Sequence, residues 1–179
     1  MAAATDLLSR EKITREWRWG VPLIVAIVVL DQISKAWVLG HSAFNALECL
    51  PNTALCGKIE LSPVFDLTMT WNRGVSFGAF QADGLARWGL FVVIGVIAVG
   101  FSVWLFRAER WLTALALSMV VGGAVGNLID RALYGAVVDF LDFSGMFFPW
   151  IFNVADASIS VGAAILLLDQ VLAGRKQSG

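Results

Sequence analysis

The stretch FNVADASISVGAAILLL, residues 152–168, places an amide and a carboxylate at the start of a long apolar run. Asn153 and Asp156 are expensive to place in hydrocarbon, about 2.5–3.5 kcal/mol for an ionised side chain deep in a helix. Their spacing puts both on one helical face, with Ser160 close to the same face. The stretch therefore predicts a membrane-spanning helix with a functional site at its polar end.

The composition of the whole chain indicates a membrane protein. Of its 179 residues, 58% are hydrophobic and 15% are charged, and the mean hydropathy is +0.75. Soluble domains of this length rarely reach such values. The net charge of −1, with no basic stripe, gives no indication of nucleic-acid binding. The basic and then apolar residues 10–30 resemble an export signal without a cleavage site, which predicts an uncleaved signal-anchor helix.

Four segments are long and apolar enough to cross a hydrocarbon layer of about 30 Å, which takes roughly 20 residues. They cover residues of about 19–39, 88–106, 111–129 and 150–172. Each begins at a tryptophan, a residue typical of the headgroup level. The bias of Lys and Arg places both termini in the cytoplasm and residues 40–87 and 131–149 outside. We therefore expect a single integral membrane domain over residues 1–179.

The segment between the first two spans contains a strand signal. In VFDLTMTWN, residues 64–72, apolar and polar side chains alternate from Phe65 onward, which is typical of an amphipathic strand. A turn signal follows at residues 72–74, and residues 75–80 could form a return strand. The predicted fold class is an all-α membrane protein with four transmembrane helices. A small extracytoplasmic β-sheet within about residues 40–87 would place its apolar face toward the membrane.

The strongly polar residues of the spans gather near their outer ends. They are Asp31, Lys35, Asn127, Asp130, Arg131, Asn153 and Asp156. Asp169 is the exception, because it lies near the cytoplasmic end, where we expect it to reach water or Lys176. Buried ionisable groups at one membrane level indicate a site rather than a path across the bilayer.

A structural explanation exists for several of these residues. Asp31 and Lys35 are four residues apart and could form an ion pair on one helical face. Asp130 could pair with its neighbour Arg131, and Asn127 could join helices through hydrogen bonds. For these five residues, structure and function remain equally supported by the sequence.

Asp139 and Asp156 lack an obvious cationic partner nearby in sequence, which favours a functional role. Asp139 lies in VVDFLDF, residues 137–143, which we assign to an outer loop together with Asp142 as a solvated acid. The chain between the two candidate acids could return so that they face each other. Two carboxylates in a site of low dielectric constant share a proton. One could then activate water while the other hydrogen-bonds a scissile carbonyl.

Five motifs occur in a fixed order along the chain. They are DQISK (31–35), WNRGVSFG (71–78), GGAVGNLIDR (122–131), VVDF (137–140) and FNVADASISVG (152–162). Together with four spans, they resemble the bacterial lipoprotein signal peptidases, or signal peptidase II. The resemblance implies an aspartyl endopeptidase of the inner membrane with its site toward the outer face. Such an enzyme removes signal peptides from diacylglyceryl-modified prolipoproteins and cleaves before the modified cysteine.

The resemblance also assigns roles to residues. Asp139 and Asp156 would be the catalytic pair. The residues that would line or support the site are Asp31, Lys35, Asn72, Gly74, Asn127, Arg131 and Asn153. It implies no metal or other cofactor, prolipoprotein substrates, contact with membrane lipids, and inhibition by globomycin-type cyclic peptides. We expect a monomer that binds no nucleic acid.

Two other classes of protein compete with the peptidase. A small proton-coupled transporter would place carboxylates near the midplane with access from both sides, whereas the polar residues gather at one level. A purely structural scaffold would leave the cost of inserting Asp156 unexplained.

The segment before the predicted strand is longer than is usual in the family and contains both cysteines, Cys49 and Cys56. Outside the cytoplasm they could close a small disulfide loop, and free thiols are the alternative. We expect such a bond to be dispensable for catalysis.

Overall fold

A computed structural model describes residues 17–44, 46–50, 55–74, 84–146, 148 and 150–177. Within these residues, four helices are long and apolar enough to cross a membrane. They are α1 (Trp17–Gly40), α3 (Ala86–Phe106), α4 (Trp111–Tyr134) and α5 (Val154–Gln177), and the short helix α2 (Ala46–Cys49) follows α1. The four predicted spans are therefore confirmed as helices.

The bounds of two spans differ from the prediction. Helix α4 continues beyond residue 129 to Tyr134, and Gly135 ends it with a left-handed φ of 73°, a conformation that favours glycine. The prediction that the fourth span begins at Trp150 is wrong. The side-chain oxygen of Asn153 accepts a hydrogen bond of 2.8 Å from the Asp156 N–H and caps the helix, so α5 begins only at Val154.

Four antiparallel strands form one sheet in the order β1-β2-β3-β4. They are β1 (Gly57–Glu60), β2 (Asp66–Asn72), β3 (Val137–Asp142) and β4 (Ile151–Phe152). The strand predicted from alternation is confirmed as β2, whereas the predicted return strand at 75–80 lies outside the described residues. The assignment of residues 137–143 to a loop is wrong, because β3 pairs with β2 over most of that segment.

One face of the sheet is apolar and is covered by the chain itself. Trp71 and Val138 are paired across β2 and β3 and share this face. They belong to a buried cluster that also contains Val38, Phe44, Ala46, Cys56, Met69, Ala136 and Phe140. The sequence predicts that this face lies against the membrane. The structure instead covers it with the end of α1 and the segment around α2, which leaves the opposite, polar face toward α4 and α5.

Two acids have surroundings that differ from the prediction. Asp142 is only 6% exposed, because its carboxylate accepts hydrogen bonds from Thr68 (2.6 Å) and from the Ser144 N–H (2.9 Å). Burial alone would raise the pKa of Asp142, but these hydrogen bonds hold it below its ordinary value. Asp169 is buried rather than in contact with water, and the side chain of Lys176, the other expected partner, lies outside the described residues. Asp169 pairs with Arg110 (2.6 Å) and accepts a hydrogen bond from Thr113 (2.5 Å).

Candidate active site

Asp139 lies in the middle of β3, on the polar face of the sheet, and is 1% exposed. Its Oδ2 accepts a hydrogen bond of 2.9 Å from the Asn72 amide, and its Oδ1 accepts one of 2.7 Å from the Asn153 amide. Burial and, after it, the negative charge of Asp156 raise the pKa of Asp139 to about 8. At neutral pH this carboxyl group therefore retains its proton.

Asp156 is the third residue of α5, and its side chain is partly exposed. Its Oδ1 accepts a hydrogen bond of 2.8 Å from the Asn127 amide. The guanidinium of Arg131 attracts it electrostatically. The position in the first turn of a helix also favours a negative charge, because the helix N-terminus carries a partial positive charge.

Two asparagine amides connect the surroundings of the two acids. Asn153 donates to Asp139 and, at 3.1 Å, to the Oδ1 of Asn127, whose own amide nitrogen donates to Asp156. Lys35 can only donate, and its Nζ lies 3.0 Å from the same Asn127 oxygen. The ammonium group therefore fixes the orientation of the Asn127 amide, with its nitrogen toward Asp156.

Lys35 lies beneath this site and is 2% exposed. Its ammonium nitrogen is 2.8 Å from Asp31 and 2.9 Å from Asp130. Asp31 also accepts a hydrogen bond of 2.9 Å from the Ala155 N–H at the start of α5, and Asp130 accepts one of 3.0 Å from the Val138 N–H in β3. The two acids thus hold the backbone segments that carry Asp156 and Asp139.

Arg131 faces the site rather than its neighbour Asp130. Its guanidinium donates to the carbonyl oxygen of Gly74 (2.6 Å) and to that of Asn127 (3.4 Å). The ion pair between Asp130 and Arg131 that the sequence left open does not form, because adjacent helical residues point about 100° apart. The pair of Asp31 and Lys35, which the sequence also left open, does form.

Glycines of α4 let α1 approach closely enough to build this network. A Cβ atom at Gly126 would lie 2.6 Å from the carboxylate of Asp31, and one at Gly122 would lie 3.1 Å from Ile27. Gln32, which the sequence did not indicate as a site residue, bridges the same helices. Its amide nitrogen donates to Asp31 (3.1 Å), to Asp130 (3.0 Å) and to the Gly126 carbonyl (3.2 Å).

A cavity of about 130 Å³ opens beside Asp156. Its lining residues are Asn72, Ile94, Ala124, Asn127, Arg131, Val137, Asp156 and Ile159. The polar and apolar residues among them give the cavity a mixed surface, to which α3 contributes Ile94. Across the described part of the chain, no three His, Cys, Asp or Glu side chains come together as a metal site would require.

The chain matches the family of signal peptidase (SPase) II, peptidase family A8, over residues 23–172. It belongs to the signal peptidase II family. The lipoprotein signal peptidase of Caulobacter vibrioides is 44% identical over 161 residues, which cover 89% of this chain and 90% of the relative. That of Methylorubrum extorquens is 41% identical over 157 residues, or 87% of this chain and 86% of the relative.

Two solved structures of bacterial membrane enzymes, both obtained by the in meso method, share the fold. One, at 2.3 Å resolution, has a TM-score of 0.71 and 24% identity and covers 86% of this chain and 88% of its own. The other, at 1.9 Å, has a TM-score of 0.66 and 27% identity and covers 84% and 91%. With its four apolar helices, this signal peptidase II family member is a multi-pass protease of the bacterial inner membrane.

The structure brings the site residues implied by the signal peptidase II resemblance together, but in three layers. Asn72, Asn127, Arg131 and Asp156 line the cavity. Behind them, Asp139, Asn153 and Gly74 are joined to these residues by hydrogen bonds, and Asp31 and Lys35 lie deeper still. The sequence contains no signal that separates the three layers, and none that indicates Ile94, because both depend on how the helices pack.

Proposed function

We propose that this chain removes the signal peptides of diacylglyceryl-modified prolipoproteins and cleaves before the modified cysteine. In this proposal Asp139 and Asp156 activate water. The observation that carries it is the convergence of one acid from the sheet and one from α5 on a single network of asparagine amides beside a cavity. Membership of the signal peptidase II family supports the reaction class.

The electrostatics of the pair support an acid and a base within one site. Asp139, with its pKa raised to about 8 by burial and by the charge of Asp156, holds a proton at neutral pH. In this proposal Asp156, which has the Asn127 amide and the Arg131 guanidinium beside it, carries the negative charge of the pair. The protonation states belong to the pair, because each acid feels the charge of the other.

The chemical step follows from these two states. The carboxylate of Asp156, which borders the cavity, takes a proton from a water molecule, and the oxygen of that water attacks the scissile carbonyl carbon. The carboxyl group of Asp139 donates a hydrogen bond to the carbonyl oxygen as negative charge develops there. When the C–N bond breaks, the proton held by Asp156 passes to the leaving nitrogen. The protein forms no covalent bond to the substrate in this sequence.

Asn72 stands between Asp139 and the cavity, since it lines the cavity and donates to Asp139, which does not line it. For Asp139 to reach a carbonyl oxygen, the Asn72 amide must give up that hydrogen bond. We propose that the bound substrate replaces it. Catalytic hydrogen bonds often form only in the substrate complex.

We also propose the orientation of the chain in the membrane. The bias of Lys and Arg places both termini in the cytoplasm, so the ends of α4 and α5 that carry Arg131 and Asp156 face outward. A signal peptide that spans the membrane would present its outer end at that level. We further propose a monomer in contact with lipids, organised as one integral domain and inhibited by globomycin-type peptides.

The test is incubation of the purified protein in lipid or detergent with a diacylglyceryl-modified prolipoprotein, followed by mass spectrometry. We expect release of the signal peptide and a mature chain that begins at the modified cysteine. The same precursor without the lipid is the matched substrate control, and the Asp156→Asn variant is the matched enzyme control. Absence of cleavage by the folded wild-type protein contradicts the proposed function, and equal cleavage of both precursors contradicts the lipid requirement alone.

A further inference from the structure

The segment that carries both cysteines lies against the apolar face of β2. We call its described part, residues 46–50 and 55–56, the disulfide cap. The Trp71 indole donates a hydrogen bond of 2.7 Å to the Ala46 carbonyl, and the Arg73 guanidinium donates one of 2.6 Å to the Leu50 carbonyl. Trp71, in β2, and Arg73, which directly follows the strand, therefore both reach the cap.

A disulfide bond closes the cap. It joins Cys49, the last residue of α2, to Cys56, and the two Cα atoms are 5.6 Å apart. The N–H of Cys56 donates a hydrogen bond of 2.8 Å to the Met69 carbonyl of β2. Leu50 follows Cys49 directly, so the bond fixes the backbone next to the carbonyl that Arg73 binds.

The residues that alternate with Trp71 and Arg73 belong to the candidate active site. Asn72 donates to Asp139, and the Gly74 carbonyl accepts from Arg131. The Gly74 N–H also binds the side-chain oxygen of Asn72 at 2.9 Å. Residues 72–74 are therefore held by the site on one side and, through Arg73, by the cap on the other.

We infer that the disulfide cap positions residues 72–74 for substrate binding, and that the Cys49–Cys56 bond maintains this position through the contact of Leu50 with Arg73. The inference rests on the proposed function, because it assigns Asn72 and Gly74 to the substrate site. It makes Arg73 a positioning residue.

The expected effect is on KM rather than on kcat. The described contacts of the cap reach Trp71 and Arg73. Asp139 and Asp156 are also held by the Asn153 and Asn127 amides and by the backbone segments that Asp31 and Asp130 bind. In the proposed mechanism the substrate replaces the hydrogen bond from Asn72 to Asp139, so a shift of residues 72–74 weakens substrate binding and leaves the acid pair in place. Loss of one hydrogen bond of this kind corresponds to a change of roughly three- to tenfold. We expect KM to rise by that factor, with kcat within about twofold of the wild type.

Two variants test the connection from the Cys49–Cys56 bond through Leu50 to Arg73, one at the disulfide bond and one at Arg73. Cys49→Ser/Cys56→Ser removes the bond, and Arg73→Ala removes the donor while the bond remains. Arg73→Lys restores a donor and is expected to recover part of the loss in KM. When Cys49→Ser/Cys56→Ser and Arg73→Ala are combined, KM should be no higher than in whichever of the two variants has the higher KM, because both changes break the same connection. Lys58→Ala is the matched control, since it removes an ion pair of 2.8 Å with Asp66 on the same sheet, away from the cap.

Hydrogen exchange at the Gly74 amide gives a readout that needs no activity. We expect faster exchange in both variants and unchanged exchange in Lys58→Ala. Wild-type KM for Arg73→Ala overturns the inference, and so do additive effects in the combined variant. If the cysteine variant fails to fold, Arg73→Ala and its lysine rescue still decide the question. If the wild-type protein fails to cleave prolipoproteins, the proposed function is contradicted. Hydrogen exchange at the Gly74 amide still tests whether the cap holds residues 72–74, because that measurement needs no activity.

Discussion

Asp156→Asn is the sharpest test of the proposed acid pair, because the structure makes it a conservative change. The Oδ1 of Asp156 accepts from the Asn127 amide, and an amide oxygen can take its place. Asp139→Asn is less conservative. Both oxygens of Asp139 accept from amide nitrogens, and the amide oxygens of Asn72 and Asn153 already bind the N–H groups of Gly74 and Asp156. A new amide nitrogen at position 139 would therefore face another donor.

The expected loss of activity for Asp156→Asn is large. General-base catalysis contributes roughly 10²–10⁴-fold, so we expect cleavage to fall by about 10³-fold or more. That loss corresponds to about 4 kcal/mol of transition-state stabilisation at 1.36 kcal/mol per factor of ten. Stability should change little, by about 1 kcal/mol or less, or increase, because the hydrogen bond is kept and a charge at a membrane helix end is removed.

The assay is single-turnover cleavage of a diacylglyceryl-modified prolipoprotein, with the thermal midpoint of the same preparation measured alongside. We expect activity to disappear while the midpoint stays within about 2–4 °C of the wild type. The double variant Asp139→Asn/Asp156→Asn should cleave no more slowly than Asp156→Asn alone, because the pair acts as a unit. Cleavage within tenfold of the wild type by well-folded Asp156→Asn protein would refute the mechanism.

Three further predictions concern pH, buried charge and topology. Because the raised pKa of Asp139 is about 8, kcat/KM should fall above that pH as the proton is lost. The same shift in pKa makes the free energy of unfolding fall between about pH 4 and pH 8, where only the folded state holds the proton, and level off above pH 8. If activity instead declines together with stability between about pH 4 and pH 8, the proposed role of protonated Asp139 is contradicted. Lys35→Met leaves Asp31 and Asp130 buried without their cation and should cost about 3–5 kcal/mol of stability, whereas Lys58→Met, at a side chain 42% exposed, should change the thermal midpoint little; equal midpoints for both variants would contradict a buried ionic network. A reporter fused after Gly179 should be found in the cytoplasm and one inserted between β1 and β2 outside, and a C-terminal reporter outside contradicts the four-span orientation.

The helices and one strand of the fold could be predicted from local patterns. Apolar length indicated all four spans, and alternation from Phe65 indicated β2. Local patterns do not indicate β3, because a strand that is buried on both faces has no alternating pattern, and its partner β2 lies about 70 residues earlier in the chain. They also do not show where the fourth span begins, since composition does not reveal that Asn153 caps the helix and that Trp150 lies before it.

The residues of the candidate site could be predicted, but their arrangement could not. The motifs indicate Asp31, Lys35 and Arg131 together, and nothing in the sequence shows which of them lies nearest the cavity. Which of them faces a cavity depends on how α1 rotates against α4, and that rotation is set by contacts such as Gly126 against Asp31. The disulfide between Cys49 and Cys56 shows the same limit. The sequence left free thiols open, and the structure forms the bond.

The four acids of the candidate site differ in the groups that bind them, which are a cation for two of them and asparagine amides for the other two. Asp31 and Asp130 both bind the ammonium group of Lys35 and a backbone N–H, and they hold the backbone segments that carry Asp156 and Asp139. The hydrogen bonds that the structure gives to Asp139 and Asp156 come from asparagine amides. An amide fixes the direction of a carboxyl group but stabilises its charge less than a cation does. In the proposed mechanism Asp139 and Asp156 exchange protons, which requires that combination, since a tightly bound cation would hold both of them ionised.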